Sequence, residues 1–159
     1  MLLKAFYEAK LFKIGYKLIF YGSGPSEFEI SEFVKQNNLS DYVSIIKGQT
    51  NIADLINGAS LFVLTSNNEG MPNALIEAMS MGILSISTDC PIYGPRMLIK
   101  NGVNGFLVPI NNVEVLSKTM VYALSNSKSD DIRREAYKIR ETLKSTEIFN
   151  QWKLLINNL

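Results

Sequence analysis

The sequence predicts an α/β domain of the Rossmann type, in which a parallel sheet carries helices on both faces. Short β-rich runs alternate with segments whose apolar residues recur at helical spacing. The run 59–64 is almost continuously apolar, which is typical of a parallel strand buried on both faces. Two loops, 22–25 and 65–73, each follow a strand and lead into a helix. Ligands of such sheets bind beyond the carboxyl ends of the strands, so these loops are the candidate site.

The order of the elements follows from apolar spacing and from the Gly, Pro and Asn residues that interrupt it. Five strands are predicted, over 16–21, 42–46, 59–64, 83–87 and 105–108. One helix is predicted ahead of the first strand, beginning near Leu2. Three more are predicted between strands, beginning near Pro25, Asn51 and Pro72. Three further helices are predicted in the C-terminal part of the chain, where apolar residues recur at helical spacing over 113–124, 132–143 and 148–155. Alternating strands and helices imply right-handed crossovers and a parallel sheet.

Composition excludes several kinds of chemistry. The chain has no histidine and one cysteine, which rules out a Ser-His-Asp or Cys-His mechanism, an internal disulfide and a Cys/His zinc site. The formal net charge is +1, from 16 Lys and Arg against 15 Asp and Glu, so no nucleic-acid partner is expected. No apolar run approaches the about 20 residues of a spanning helix. We expect a cytoplasmic protein, with peripheral contact at the inner face of the cell membrane as an open alternative.

The loop Gly22-Ser-Gly-Pro25 has two interpretations. A glycine turn ahead of a helix lets backbone amides approach an anion such as a phosphate. The third glycine of a dinucleotide fingerprint is absent, because Glu27 stands at that position. A plain tight turn is therefore the favoured interpretation of this loop by itself.

A second constellation pairs two carboxylates with a glycine- and proline-bearing turn. Glu69 lies in the loop and Glu77 lies eight positions later, inside the next helix. Backbone amides at the start of that helix suit a diphosphate, and a carboxylate suits a vicinal diol of a sugar or ribose. The alternative is that Glu69 interacts with the helix dipole and Glu77 lies on a solvated face. The apolar residues around Glu77 and the Gly-Pro turn favour a sugar-nucleotide site.

Several motifs together carry a family resemblance. They are EGMPNALIEAMSMG at 69–82, GSGP at 22–25, ASLFVLTS at 59–66 and NGVNGFLVP at 101–109. The first resembles the E-x7-E signature of retaining GT-B glycosyltransferases of family 4, and the others resemble the same family's glycine loop and strands. The resemblance covers nearly the whole chain and implies the C-terminal, donor-binding half of a GT-B fold.

The resemblance also implies roles for individual residues. Glu69 corresponds to the glutamate that contacts the donor sugar, and Glu77 to the one that binds the ribose hydroxyls. Lys47 falls in the region beside the base. The resemblance assigns further donor-binding positions to Gly22, Gly24, Gly70, Met71, Pro72 and Asn73. Pro72 itself has no amide hydrogen to offer.

The family implies a metal-independent enzyme with no cofactor, acting on a nucleotide sugar that is preferentially UDP-linked. The acceptor, a glycan or a lipid-linked sugar in polysaccharide assembly, would be held by an N-terminal domain absent from this sequence. No residue here matches the family's basic Arg–Lys pair, and we expect the strand order to be incomplete at one edge. We assign 1–125 to the nucleotide-sugar-binding domain and 126–159 to C-terminal helices that pack on it or cross to the other half.

Two other functions remain open. A binding module without turnover, or one subunit of a split enzyme, would fit a chain that holds a nucleotide sugar alone. A nucleotide-sugar epimerase or a glycosyl phosphorylase shares the architecture. The absence of histidine argues against the epimerase, and the absence of a convincing pyridoxal-phosphate lysine argues against the phosphorylase.

Overall fold

The computed structural model describes residues 1–48, 51–92 and 94–157. Strands β1 to β5 are Leu18–Tyr21, Val43–Ile46, Phe62–Leu64, Ser85–Thr88 and Phe106–Val108. Helices α1 to α5 are Leu2–Glu8, Glu27–Gln36, Ile52–Ile56, Asn73–Ser80 and Gly94–Leu98. Helices α6 to α9 are Val113–Ser125, Ser129–Tyr137, Ile139–Thr142 and Ser145–Asn157, and a short 3-10 helix spans Leu11–Ile14. None of the described helices is long and apolar enough to cross a membrane.

All strand pairs are parallel, which confirms the predicted fold class. Strand β1 pairs with β2, with Leu18 opposite Val43, and β4 pairs with both β3 and β5. The order within the described residues is β1-β2 in one group and β3-β4-β5 in another. The predicted single sheet is thus divided in two, and a cavity lined by residues of both β1 and β3 lies between the two groups.

The prediction that 59–64 is a strand buried on both faces is wrong. Strand β3 covers only Phe62–Leu64, and each of its residues is half-buried. The four residues of β4 are fully buried instead, because β4 has a partner on both sides. Within the described residues, the strand at the end of this apolar run is thus paired on one side only, with β4.

Helices lie on both faces of the strands. One core cluster joins α1 and α6 to β4 and β5 through Phe6, Ile86, Val108, Leu116 and Met120. A second cluster joins α4 to α7 and α8 through Leu75, Met79, Ala136 and Ile139. The strand alternation that points Ile86 to the first cluster points Ser85 and Ser87 the other way. These serines are buried but satisfied, since their hydroxyls donate to the backbone oxygens of Ile83 and Thr88.

The C-terminal helices divide into a packed and an exposed part. Helices α7 and α8 pack on α4, whereas the described side chains of α9 are all exposed, including Phe149, Trp152 and Leu155. The predicted helix over 132–143 is broken at Lys138. Basic side chains of this region are paired with carboxylates, in Arg134–Asp131, Lys138–Glu135 and Lys144–Glu141. The boundary at 125/126 stays a prediction.

Candidate functional site

Three loops lie at the carboxyl ends of the strands. They follow β1, β3 and β4 and lead to α2, α4 and α5. This is the edge where parallel sheets bind ligands. The loops after β3 and β4 contain the elements with the clearest geometry.

Glu69 is fixed by two successive hydrogen bonds. The Ser66 hydroxyl donates to Glu69 Oε1 at 2.7 Å. The hydroxyl of the buried Thr88, the last residue of β4, donates to the Ser66 carbonyl oxygen at 2.5 Å. Glu69 is half-buried, and within the described residues it forms no ion pair. Its carboxylate is thus oriented by the sheet and keeps acceptor capacity for a ligand.

The loop that carries Glu69 is also pressed against α5. A Cβ atom at Gly94 would lie 1.6 Å from the Gly70 carbonyl oxygen and 2.9 Å from that of Glu69. Only glycine permits such an approach of two backbones. Gly94 therefore sets the position of the Gly70–Met71 peptide and of the Glu69 carbonyl beside it.

Four backbone N–H groups are unpaired around the start of α4. In the described part of the chain, no protein acceptor faces the amides of Gly70, Met71, Asn73 and Ala74. The amides of Leu75 and Ile76 donate to the Pro72 carbonyl at 3.0 and 3.1 Å. No acidic residue lies in the first turn of α4, so its positive dipole end is not neutralised. This is a favourable site for an anion such as a diphosphate.

Glu77 lies one turn further along α4. It is exposed, as is Asn73 four positions earlier, and Ala74 between them lines the cavity beside β3. Residues three and four apart share one side of a helix, so Glu77 lies on the side of α4 that borders this cavity. No ion pair of Glu77 is found among the described residues. The two glutamates thus lie on either side of the free amides along the chain.

The glycine loop after β1 begins with an amide that is paired to the neighbouring strand. Gly22 has φ +127°, which requires glycine, but its N–H donates to the Ile46 carbonyl at 2.9 Å. Gly24 is exposed, with open space where a Cβ would stand. Glu27 and Glu29 occupy the first turn of α2 and oppose its positive dipole end. Gly22 therefore shapes the turn and has no free amide for an anion.

Lys47 follows β2 and already has a partner. Its Nζ lies 2.5 Å from Glu27 Oε1, which joins the end of β2 to the start of α2. The pair is partly exposed, so solvent screening keeps its contribution to stability small. No local pattern predicts this pairing, because the two residues lie twenty positions apart in the chain.

The sequence interpretation missed Ser66, Thr88 and Gly94, whose roles depend on contacts between separate loops. It also missed the pair of Asp89 and Arg96, in which Arg96 Nε donates to Asp89 Oδ1 at 2.8 Å and the second guanidinium nitrogen contacts Oδ2. These hydrogen bonds from Arg96, assisted by its charge, hold the pKa of Asp89 below its ordinary value. The pair connects the end of β4 to α5.

The arrangement combines an anion site with carboxylates on both sides along the chain. Among the described residues, no three His, Cys, Asp or Glu side chains cluster to hold a metal ion. If a diphosphate bound at the start of α4, Glu69 would precede it along the chain and Glu77 would follow it. Each carboxylate could then contact a group attached to one end of the diphosphate. Such geometry suits a ligand with a phosphate centre and hydroxylated ends.

The sequence model of the family described as Glycosyl transferases group 1 matches residues 1–139. The chain belongs to this family. Similar proteins include the UDP-N-acetylglucosamine–peptide N-acetylglucosaminyltransferase GtfA subunit of Streptococcus pneumoniae, 26% identical over 87% of this chain and 29% of the relative. The amylovoran biosynthesis glycosyltransferase AmsD of Erwinia amylovora is 30% identical over 66% of this chain and 29% of the relative.

A solved structure has the same fold. The crystal structure of the pneumococcal O-GlcNAc transferase GtfA in complex with UDP and GlcNAc superimposes with a TM-score of 0.84 at 23% identity. It covers 99% of this chain, and the chain covers 32% of GtfA. The chain therefore spans about a third of the length of these relatives.

Proposed function

We propose that this chain is the donor-binding part of a retaining glycosyltransferase of family 4, and that it holds a nucleotide-diphospho-sugar, preferentially a UDP-sugar. The observation that carries the proposal is the set of four unpaired amides at the start of α4, between Glu69 and Glu77. A dianionic diphosphate satisfies these amides and the helix dipole together.

Each end of the ligand has a carboxylate in the proposed arrangement. Glu77 accepts hydrogen bonds from the ribose hydroxyls on one side of the diphosphate. Glu69, oriented by Ser66, accepts from hydroxyls of the donor sugar on the other side. A carboxylate with two oxygens suits two vicinal hydroxyls, and charge-assisted hydrogen bonds are about twice as strong as neutral ones. Met71 and Pro72 shape the loop between the two ends, and Gly24 and Lys47 lie nearer the base.

The proposed chemistry separates the sugar from the nucleotide with little proton transfer by the protein. Negative charge develops on the leaving diphosphate, and fixed amides and a helix end stabilise such charge without reorganisation. Glu69 orients the donor and stabilises an oxocarbenium-like centre. No divalent metal is required for this scheme, because the amides meet the phosphate charge directly.

The acceptor in this proposal is a glycan or a lipid-linked sugar, bound by an N-terminal domain outside this sequence. The similarity to an amylovoran biosynthesis glycosyltransferase supports a role in polysaccharide assembly. A split enzyme is the second candidate, in which this chain is one subunit. The similarity to a protein named as a subunit and the exposed apolar side chains of α9 favour it.

Isothermal titration calorimetry of the 159-residue chain, with UDP or GDP as the ligand and without added metal, tests the donor site. We expect UDP to bind more tightly than GDP, and Glu77→Gln to weaken UDP binding about tenfold or more, the effect of losing one charge-assisted hydrogen bond. The matched control is Glu8→Gln on the exposed side of α1. UDP affinity that is equal in the wild-type chain and in Glu77→Gln would refute the role of Glu77, and the absence of any nucleotide binding would refute the donor site.

A further inference from the structure

Two consecutive residues at the end of β4 bear on the loop that carries Glu69. Thr88 holds the loop directly, since its hydroxyl donates at 2.5 Å to a carbonyl oxygen that precedes Glu69. Asp89 contacts α5 instead, where its two carboxylate oxygens accept from two guanidinium nitrogens of Arg96. The bidentate geometry of such a pair fixes direction as well as distance. The pair therefore anchors α5 to the end of β4.

Helix α5 needs such an anchor. It has five residues, and a helix of that length is not stable without tertiary contacts. The chain that leads to it passes through Ile92, whose φ is +75°. A β-branched residue in the left-handed region is strained, and this conformation persists only where its surroundings hold it. The side chain of Ile92 is exposed, so contacts of neighbouring residues must offset the strain, and the Asp89–Arg96 pair is one of them.

The contact between α5 and the Glu69 loop fixes the orientation of one peptide. Gly94 approaches the Gly70 carbonyl so closely that an added Cβ would lie 1.6 Å from its oxygen. In a planar trans peptide, the C=O and the following N–H point in opposite directions. The Met71 N–H belongs to the same peptide as the Gly70 carbonyl and therefore points away from α5. It is one of the amides around the start of α4 that have no acceptor within the described residues.

We propose that Asp89 and Arg96 are positioning residues of the anion site at the start of α4. Their pair holds α5 in place, α5 fixes the Gly70 carbonyl, and the Met71 amide is thereby kept turned toward the bound phosphate. Loss of the pair would let this peptide rotate without any change in the residues that contact the ligand. The role rests on the proposed donor site and adds to it two side chains that do not touch the nucleotide.

The order of residues along the loop indicates which phosphate depends on the pair. In the proposed arrangement the ribose lies at Glu77 and the donor sugar lies at Glu69. Met71 is therefore nearer the distal phosphate of UDP, whereas Ala74 is nearer the phosphate attached to the ribose. UMP lacks the distal phosphate, so its binding should depend less on the orientation of the Met71 amide.

Two other roles of the pair give different results. A pair that only stabilises the fold would leave nucleotide affinity unchanged in a variant that is still folded. If Arg96 contacted the diphosphate directly, Asp89→Asn would release it, and this variant would bind UDP at least as tightly as the wild-type chain. Only the positioning role predicts that loss of either partner weakens binding and that the two losses are not additive.

Isothermal titration calorimetry of the 159-residue chain with UDP and UMP, at a temperature where every variant is folded, tests the proposal. We expect Asp89→Asn and Arg96→Gln each to weaken UDP binding about five- to tenfold, part of the contribution of one complete hydrogen bond to a charged group. UMP binding should weaken less, and the double variant should bind UDP as well as the weaker single variant. The matched control is Glu114→Gln, which breaks an exposed ion pair on α6 and should leave both affinities unchanged.

Three results of the titrations would overturn the proposal. The first is a UDP affinity of Asp89→Asn equal to that of the wild-type chain. The second is a further loss when Arg96→Gln is added to Asp89→Asn, because Arg96 would then act without its partner. The third is equal weakening for UDP and UMP, since a general loosening of the fold affects both ligands alike.

Amide chemical shifts of the ligand-free chain separate a failure of this proposal from a failure of the donor site. Asp89→Asn should shift the Met71 amide signal, whereas Glu114→Gln should not. An unchanged Met71 signal would overturn the positioning role, whether or not UDP binds. A shifted Met71 signal, together with a wild-type chain that binds no UDP, would support the hold of the pair on the loop and refute the donor site alone.

Discussion

The Ser66 hydroxyl donates a 2.7 Å hydrogen bond to Glu69 Oε1, and this contact orients the carboxylate at the carboxyl edge of β3. Its other anchor is Thr88, whose hydroxyl holds the Ser66 carbonyl. Thr88, at the end of β4, thus positions the loop that follows the neighbouring strand β3. The geometry of Glu69 depends on the strand pair as much as on its own loop.

Removal of the Ser66 hydroxyl is expected to loosen Glu69. Ser66→Ala should lower the free energy of unfolding by about 1 kcal/mol, the typical value of one partly buried hydrogen bond. In the proposed site it should also reduce the affinity for UDP-GlcNAc, used as a test sugar nucleotide, more than the affinity for UDP. The matched control is Ser80→Ala, whose hydroxyl donates only to the Glu77 carbonyl within α4. Equal losses for both ligands, measured by isothermal titration, would contradict the sugar-side role of Glu69.

Gly94 and Gly70 offer a test of the contact between the two loops. Gly94→Ala would place a methyl group 1.6 Å from the Gly70 carbonyl oxygen, so the backbones must separate. We expect a loss of about 2–3 kcal/mol in urea unfolding, at the upper end of overpacking costs. Gly70→Ala is the control, because no atom lies within 4 Å of its added Cβ and its φ is not positive. Similar unfolding midpoints for the two variants would show that the loops do not touch in solution.

The ion pair of Asp89 and Arg96 should make stability depend on pH in the acid range. Because Arg96 lowers the pKa of Asp89 in the folded chain, the unfolded chain binds the proton more readily. The contribution is therefore complete above the unfolded pKa of about 4 and is lost as the pH falls through the folded value. Asp89→Asn should cost about 1 kcal/mol at pH 7, since the partners are partly exposed.

The difference in unfolding free energy between Asp89→Asn and the wild-type chain should shrink between pH 5 and pH 3. Asp41→Asn, at an exposed position, is the control for the loss of a carboxylate. A constant difference across this range would mean that the pair does not form in solution.

The sequence alone predicts those strands and helices that have a local pattern of apolar spacing and of helix- or strand-breaking residues. Strands β1, β2, β4 and β5 and helices α1, α2, α4 and α6 follow from apolar period and from breakers such as Pro72 and Gly82. The 3-10 helix and α5 were missed because they are short, at four and five residues, and α5 starts at a Gly-Pro pair that reads as a loop.

The site was predictable only in its residues along one loop. Glu69 and Glu77 share a local motif with the free amides, so spacing and resemblance both indicate them. The pairing of Lys47 with Glu27, the Thr88–Ser66 bond and the Gly94 contact join residues from different loops, and no local pattern encodes them. The divided sheet has the same cause, because an apolar strand such as 59–64 does not reveal whether it has one neighbour or two.

The most direct test of the donor site is an amide-resolved NMR titration of the chain with UDP. We predict that the largest shift changes occur at Gly70, Met71, Asn73 and Ala74, whose amides are unpaired at the start of α4. Changes confined to the start of α2, where Glu27 and Glu29 lie, or no change up to millimolar UDP, would contradict the claim that α4 binds the diphosphate.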